Sequence, residues 1–194
     1  HMIIEAFRNI PMDAAVSTEG VKRKANGSLV HAGLGLTRIG PLNEKAKEAA
    51  QFKNCIEALS HTKLELEPTT EIWKVLWEKL AINCAINPFT AISNCPNGEI
   101  KESKLFQENW PLLKIELREM LNTADIKITD NELEERIFKV IESTKDNISS
   151  MLQDIRAQRK TEIDDINGFA AEYLKNANLE HEVNKKLHKL VRNW

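Results

Sequence analysis

The sequence predicts an α+β protein in which an incomplete α/β segment, residues 1–69, precedes an all-α domain, residues 70–194. Two observations support this division. Short β-like runs separated by glycine and asparagine turns occur before residue 70. After Pro68 the apolar residues recur with helical spacing to the end of the sequence.

The first segment is predicted to contain three or four strands and one helix. Strands are expected at 14–16, 28–32, 36–39 and 63–66, and a helix at about 42–59 after Pro41. Asn26-Gly27 is typical of a two-residue β-hairpin turn.

The second segment is predicted to be helical throughout. Helices are expected near 70–87, 102–123, 129–145, 154–176 and 181–192. Thr129 followed by Glu132 is a capping-box start for the third helix. Pro88 is expected to end the first helix, and Pro111 to kink or restart the second.

Composition excludes several classes of protein. The net charge is −2, with charges of both signs interspersed, so nothing favours nucleic acid or an anionic membrane surface. No apolar run approaches the ~20 residues that a membrane-spanning helix requires, and no secretory signal is expected. Cys55, Cys84 and Cys95 are odd in number and lack metal-ligand spacing, as the histidines do, which indicates a reducing cytoplasm and no metal site. His1-Met2 is interpreted as the remnant of a cleaved tag.

The first segment resembles about half of a dinucleotide-binding (Rossmann) domain. The turn G-x-G-x-x-G between a strand and a helix is missing. Gly33-Leu34-Gly35 imitates its first half, but it lies among strands, so a tight β-turn is the better interpretation.

One stretch of the second segment carries candidate chemistry. Lys79, Asn83 and Asn87 are spaced four residues apart, which places their side chains on one face of a helix. One ammonium and two carboxamides in a row suit a small, anionic, oxygen-rich ligand. The alternative for both asparagines is that they cap the helix end before Pro88.

From about Asp13 onward the chain resembles the ketopantoate reductase (2-dehydropantoate 2-reductase) family. Separated motifs occur in the family's order: Ser17-Thr18-Glu19-Gly20, His31 to Pro41, Trp77 to Asn83, Asn87 to Ile92, Cys95 to Gly98, Asn147 to Arg156, Thr161 to Asp164, and Ile166-Asn167-Gly168. The resemblance implies an NADPH-binding Rossmann domain joined to a helical domain, with the active site in the cleft between them.

The resemblance also implies roles for individual residues. Lys79 matches the catalytic lysine, which protonates the alkoxide that forms when hydride reaches the ketone. Glu162 matches an acid near the nicotinamide that would hold this ammonium in place. The positions that match substrate-binding residues are Lys79, Asn83, Asn87, Asn97, Asn147 and Ser150. Val21 occupies a position beside the cofactor where the family more often has alanine.

Other roles remain open for Ser150, Asn97 and Glu162. Ser150, three residues before Gln153, could start a helix as an N-cap. Asn97 lies in a Pro-Asn-Gly turn that needs no ligand, and Glu162 could pair with Arg159 or Lys160. Ser150 and Glu162 would be ~18 Å apart on one straight helix. The chain is therefore expected to bend near Asp154, a candidate N-cap, so that the two residues contact different parts of a substrate–cofactor pair.

Two classes of function remain. The first is the substrate domain of an NADPH-dependent ketopantoate reductase, inactive in this chain because the phosphate-binding loop is missing. The second is a non-catalytic helical module for dimerisation or ligand binding. A truncated sheet leaves an unpaired edge, which predicts a homodimer or strand exchange through residues 13–40.

Overall fold

A computed structural model describes residues 7, 9–24, 26–48, 51–179 and 181–194. The predicted tag remnant His1-Met2 therefore lies outside the described residues. The chain divides into two compact units, His1–Leu76 and Trp77–Trp194. None of the described helices is both long and apolar enough to cross a lipid bilayer.

The first unit contains a small mixed sheet and a separate hairpin. Its strands are β1 (Asp13–Ser17), β2 (Gly20–Arg23), β3 (Leu29–Gly33), β4 (Leu36–Pro41) and β5 (Glu65–Pro68). The strand order of the sheet is β1-β4-β5, with β4 antiparallel to β1 and parallel to β5. β2 and β3 pair with each other in antiparallel orientation.

A βαβ crossover connects the two parallel strands. Helices α1 (Glu44–Glu48) and α2 (Gln51–Ser60) lie in the chain between β4 and β5. Parallel strands need such a crossover because the chain must return to the end of the sheet at which the first strand began, which a tight turn cannot do. The prediction of an incomplete α/β segment is confirmed. The helix predicted at 42–59 corresponds to α1 and α2, while residues 49 and 50 of that prediction lie outside the described residues.

The hairpin predicted at Asn26-Gly27 is present, but its connection is longer than two residues. β2 and β3 begin their pairing at Arg23 and Leu29. The amide of Lys24 donates to the carbonyl of Ser28 at 2.8 Å, which closes the turn. Gly27 has φ +83°, a left-handed conformation that costs glycine little.

The second unit is all-α, as predicted. Its elements are α3 (Ile72–Ser93, which begins in the first unit), a 3₁₀ helix (Asn97–Glu102), α4 (Lys104–Thr123), α5 (Asp130–Ser143), α6 (Ser150–Arg156), a π-helix (Asp164–Gly168), α7 (Phe169–Asn176) and α8 (Val183–Arg192). α3 is predominantly apolar, as expected of a central helix. Cys84, Ala85 and Phe89 on this helix are completely buried.

The capping box predicted at the start of the third helix is confirmed. Thr129 is the N-cap of α5, and its hydroxyl accepts a hydrogen bond from the amide of Glu132. The carboxylate of Glu132 accepts one from the amide of Thr129 at 2.9 Å. α4 runs without a break from Lys104 to Thr123, so the restart predicted at Pro111 does not occur.

The prediction that Pro88 ends the first helix is wrong. α3 continues for five residues beyond it, to Ser93. Proline removes an amide donor and disfavours helical geometry in the residue before it. Residues Cys84 to Ala91 are buried, however, and this packing keeps the segment helical despite the local preference.

The predicted helix 154–176 is also wrong, because three shorter elements replace it. α6 ends at Arg156, and Gln158 adopts φ +54°. Asp154 is not an N-cap: it closes the end of α6, where its carboxylate accepts two hydrogen bonds from Arg159, at 2.7 and 2.9 Å. The chain therefore bends a few residues later than predicted.

Candidate functional site

Lys79, Asn83 and Asn87 share one face of α3, over about 12 Å of helix axis. Burial increases along the row. Lys79 is exposed and Asn83 is half-buried. Asn87 is only 7% exposed. The row therefore leads from solvent into the domain. Because α3 continues past both asparagines, the alternative that they cap its end is wrong.

Two hydroxyl groups connect this helix to the start of α6. The hydroxyl of Thr90 donates to the carbonyl of Asn87 at 2.8 Å. Its oxygen lies 2.6 Å from the hydroxyl of Ser149. Since the only proton of Thr90 is already donated, Ser149 must be the donor in this second bond. The connection fixes the first turn of α6 against the segment that carries Asn87.

Ser149 is the N-cap of α6, so the alternative that Ser150 starts the helix as an N-cap is wrong. The Ser149 hydroxyl accepts a hydrogen bond from the amide of Leu152 at 3.1 Å. Ser150 is the first residue of the helix, and it is exposed. From the sequence alone, either of the adjacent residues Ser149 and Ser150 is an acceptable helix cap. Thr90, which contacts Ser149, lies 59 residues away in the chain. The exposed hydroxyl of Ser150 is left available to a ligand.

We expect Ser149→Ala and Ser150→Ala to differ in stability. Ser149→Ala removes a cap and a buried hydrogen bond, so the free energy of unfolding should fall by about 1–2 kcal/mol. Ser150→Ala removes only an exposed hydroxyl, and its effect should stay within about 0.5 kcal/mol. Urea denaturation of both variants checks this, and equal losses would contradict the assignment of the cap.

Asn97 and Asn147 are brought together at the 3₁₀ helix. The amide of Asn97 donates to the carbonyl of Asn147 at 3.0 Å. The Asn97 side-chain nitrogen donates to the hydroxyl of Thr144 at 2.9 Å. Asn97 is buried, and within the described residues its Oδ1 accepts no hydrogen bond. Asn147 is exposed. The turn that contains Asn97 is therefore held by protein contacts, and one amide oxygen remains unused.

Glu162 is exposed and lies in the connection between α6 and the π-helix. Its predicted ion-pair alternatives are wrong. Arg159 pairs with Asp154 at 2.7 Å, and Lys160 pairs with Asp164 at 3.4 Å. The role of Glu162 beside Lys79 stays a prediction. Val21, the other residue assigned to the cofactor, is 61% exposed on β2.

The described residues provide no loop for a cofactor pyrophosphate. Gly33 is the last residue of β3, and Leu34 and Gly35 connect it to β4, so a strand and not a helix follows this motif. A Cβ atom at Gly35 would lie 2.4 Å from backbone atoms of Thr18 and Glu19. Glycine is needed there for close backbone packing. The predicted tight β-turn is not present, because no turn lies between β3 and β4 and the two strands belong to different sheets.

Sequence reasoning missed a buried polar network that stabilises the helical unit. Glu116 of α4 is 1% exposed, and its carboxylate accepts hydrogen bonds from the amides of Val183 and Asn184 at 2.6 and 2.9 Å. It also accepts one from the side chain of Asn184 at 2.8 Å. α8 has no side-chain cap from its own N-cap residue. Glu116 therefore caps it from a distance of 67 residues in sequence.

The same network reaches α3 through Asn167 of the π-helix. Its Nδ2 donates to Asn184 Oδ1 at 2.8 Å and lies 3.3 Å from the carbonyl oxygen of Cys84. Burial, together with the charge of Glu116, raises the pKa of the Cys84 thiol. Cys84 is thus an unreactive core residue. The only signal in the sequence was the family motif Ile166-Asn167-Gly168, which gave no role to the asparagine.

The fold and this site define the class of the protein: an all-α domain, with an amine and amides along its central helix, that follows part of a Rossmann-like sheet. The family model described as "Ketopantoate reductase PanE/ApbA C terminal" matches residues 71–194. The chain belongs to this family.

Curated relatives carry the corresponding name. The chain is 36% identical over 173 residues to the 2-dehydropantoate 2-reductase of Shigella flexneri, an alignment that covers 86% of this chain and 53% of that protein. It is 31% identical to the enzyme of the same name from Vibrio cholerae, covering 98% of this chain and 63% of that protein. The chain thus spans between about half and two thirds of the length of these relatives.

Solved structures share the fold. A PanE/ApbA family ketopantoate reductase from Ralstonia eutropha matches 93% of this chain and 58% of its own, with a TM-score of 0.80 and 24% identity. A D-mandelate dehydrogenase solved with NADH and anilino(oxo)acetate matches 99% of this chain and 63% of its own, with a TM-score of 0.85 and 22% identity. At these identities the likeness establishes the architecture only.

Proposed function

We propose that this chain is the substrate-binding part of an NADPH-dependent reductase that converts 2-dehydropantoate (ketopantoate) to pantoate, a step of pantothenate and coenzyme A biosynthesis. The observation that carries the proposal is the row of Lys79, Asn83 and Asn87 on one face of α3, in a member of this family. The free thiols of Cys55, Cys84 and Cys95 support a cytoplasmic location.

Lys79 is the proposed general acid. A nicotinamide cofactor supplies the hydride in this reaction. As the ketone carbon gains hydride, negative charge develops on its oxygen. The Lys79 ammonium stabilises that charge and transfers a proton to the oxygen, which yields the alcohol. Its exposed position at the outer end of the row leaves it accessible to a substrate.

The amides are proposed to bind the rest of the substrate. A carboxamide can donate to a carboxylate and accept from a hydroxyl, and ketopantoate carries both groups. Asn83 and Asn87 are proposed to bind the keto acid and its hydroxyl. Further contacts are proposed for Asn97, Asn147 and Ser150. Glu162 and Val21 are proposed to lie near the cofactor, with Glu162 also orienting Lys79.

The 194-residue chain is proposed to be inactive by itself. A pyrophosphate is normally held by backbone amides of a glycine-rich loop at a helix N-terminus. Gly33 to Gly35 does not provide such a loop. This observation also favours a second candidate, a non-catalytic helical module of the same family that dimerises or binds a ligand.

One experiment separates the two candidates. NADPH oxidation with ketopantoate is measured for this chain and for a version extended at its N-terminus by the upstream coding region, called the extended protein below. Activity only in the extended protein supports the reductase. Inactivity in both, with both folded by circular dichroism, favours the non-catalytic module.

The chain is also expected to self-associate through residues 13–40. β1 and β5 are the edges of the described sheet, and an exposed strand edge can pair with another chain. Val21, Leu29 and Leu34 are 61, 70 and 92% exposed, which adds apolar surface. Light scattering at high concentration should detect a dimer, and Leu34→Lys should weaken it. A monodisperse monomer would contradict this expectation.

A further inference from the structure

Pro88 leaves one carbonyl of α3 without its helical donor. In a regular helix the amide of residue 88 would donate to the carbonyl of Cys84, four residues earlier. Proline has no amide hydrogen. Cys84 is completely buried, so water cannot replace the missing donor, and an unsatisfied buried carbonyl is costly.

Asn167 provides a substitute donor. Its Nδ2 lies 3.3 Å from the Cys84 carbonyl oxygen and 2.8 Å from Asn184 Oδ1. One amide nitrogen carries two hydrogens and can serve both acceptors. Asn167 is completely buried, and its Oδ1 has no partner within the described residues. The two donated bonds therefore fix the orientation of this side chain.

The π-helix is the local device that presents Asn167. The amide of Gly168 donates to the carbonyl of Ile163 at 3.0 Å, a separation of five residues instead of four. Such an insertion rotates the following side chains relative to a regular helix, and it frequently occurs at functional sites. Gly168 also permits close packing, since a Cβ atom there would lie 3.2 Å from the His188 ring.

We infer that Asn167 is a positioning residue: it replaces the amide that Pro88 removes, and so holds Asn83 and Asn87 in helical register with Lys79. The expected effect of Asn167 on substrate binding rests on the proposed function. Asn83 and Asn87 lie in the turn around the unpaired carbonyl, whereas Lys79 lies more than one turn before it. Loss of the bond should therefore weaken substrate binding more than it slows proton transfer.

Asn167→Leu and Pro88→Ala test this in a double-mutant cycle. Pro88→Ala restores a backbone amide that can donate to Cys84, which makes Asn167 unnecessary for that carbonyl. Asn167→Leu also removes the hydrogen bond to Asn184. This loss occurs in both the wild-type and the Pro88→Ala background, so it cancels in the cycle. In the extended protein, Asn167→Leu should raise the KM for ketopantoate about tenfold, the equivalent of one hydrogen bond, with kcat changed less than about threefold.

The double variant should return KM to within about twofold of the wild-type value. Asn176→Leu, at an exposed position on α7, is the matched control and should change neither parameter. An unchanged KM in Asn167→Leu, or no recovery on adding Pro88→Ala, would overturn the inference. If the single variant Asn167→Leu does not fold, the double variant with Pro88→Ala should fold. Failure of the double variant to fold would also overturn the inference.

Hydrogen exchange on the 194-residue chain keeps this test independent of the reductase proposal. Asn167→Leu should accelerate exchange of amides in residues 84–92 more than those of α4, and Pro88→Ala should reverse the difference. That result without any activity in the extended protein would reject the proposed function and retain the contact. Uniform acceleration in both helices would reject the contact itself.

Discussion

Replacing Lys79 with alanine in the extended protein is expected to lower kcat for ketopantoate reduction by about 10²-fold or more. The variant loses both the charge that stabilises the developing alkoxide and the proton that the alkoxide receives. Steady-state NADPH oxidation at saturating ketopantoate measures the effect.

Two further substitutions define what Lys79 contributes. Lys79→Arg keeps a positive charge but binds its proton too tightly to transfer it, so kcat should also fall strongly. Lys74→Ala is the control, because Lys74 lies on the same helix and pairs with Glu71 on the surface at 3.8 Å. Its kcat should remain within about twofold of wild type. Unchanged turnover in Lys79→Ala would remove Lys79 from the mechanism.

Glu116→Ala is expected to cause the largest loss of stability, about 3–5 kcal/mol of unfolding free energy, because three buried donors lose their acceptor. The substitution leaves the amides of Val183 and Asn184, and the side chain of Asn184, without their buried acceptor. It also removes the negative charge from the N-terminus of α8. Urea denaturation of the 194-residue chain, followed by the fluorescence of buried Trp77 and Trp110, measures the change.

Glu108→Ala is the matched control for this prediction. Glu108 lies on the same helix, but it is exposed and pairs with Lys104 at 3.6 Å. An exposed pair of this kind contributes less than about 1 kcal/mol. If Glu116→Ala and Glu108→Ala destabilise the chain equally, the buried carboxylate is not the cap of α8.

Local signals in the sequence predicted elements whose causes are themselves local. The capping box of Thr129 and Glu132 depends on residues three positions apart, and both of its hydrogen bonds are present. Gly27 adopts the left-handed conformation that an Asn-Gly turn suggests. The spacing of Lys79, Asn83 and Asn87 places them on one face as long as the segment is helical, which it is.

The errors occurred where a distant residue decides the local structure. Pro88 should end a helix by its own preference, but Asn167 supplies a donor to the carbonyl of Cys84, from which it is separated by 83 residues in the chain. Ser149 rather than Ser150 is the cap because its hydroxyl also hydrogen-bonds to Thr90, 59 residues away. Neither Asn167 nor Thr90 can be identified from the residues that are adjacent in sequence to Pro88 or Ser149. Glu116 gave no signal, because an isolated acid on a helix is normally a surface residue.

The selectivity for the substrate hydroxyl tests the central claim most directly. In the extended protein, kcat/KM is measured with wild type, Asn83→Ala and Asn87→Ala. The substrates are ketopantoate and 3,3-dimethyl-2-oxobutanoate, which has a methyl group in place of the hydroxymethyl group and so lacks only the hydroxyl. A site built to bind a hydroxyl rejects the analogue without it strongly. The account predicts a wild-type preference of about 10²-fold or more, reduced at least tenfold in one asparagine variant. Two results would contradict it: equal wild-type kcat/KM for both keto acids, or a preference for ketopantoate that is unchanged in each of the two asparagine variants.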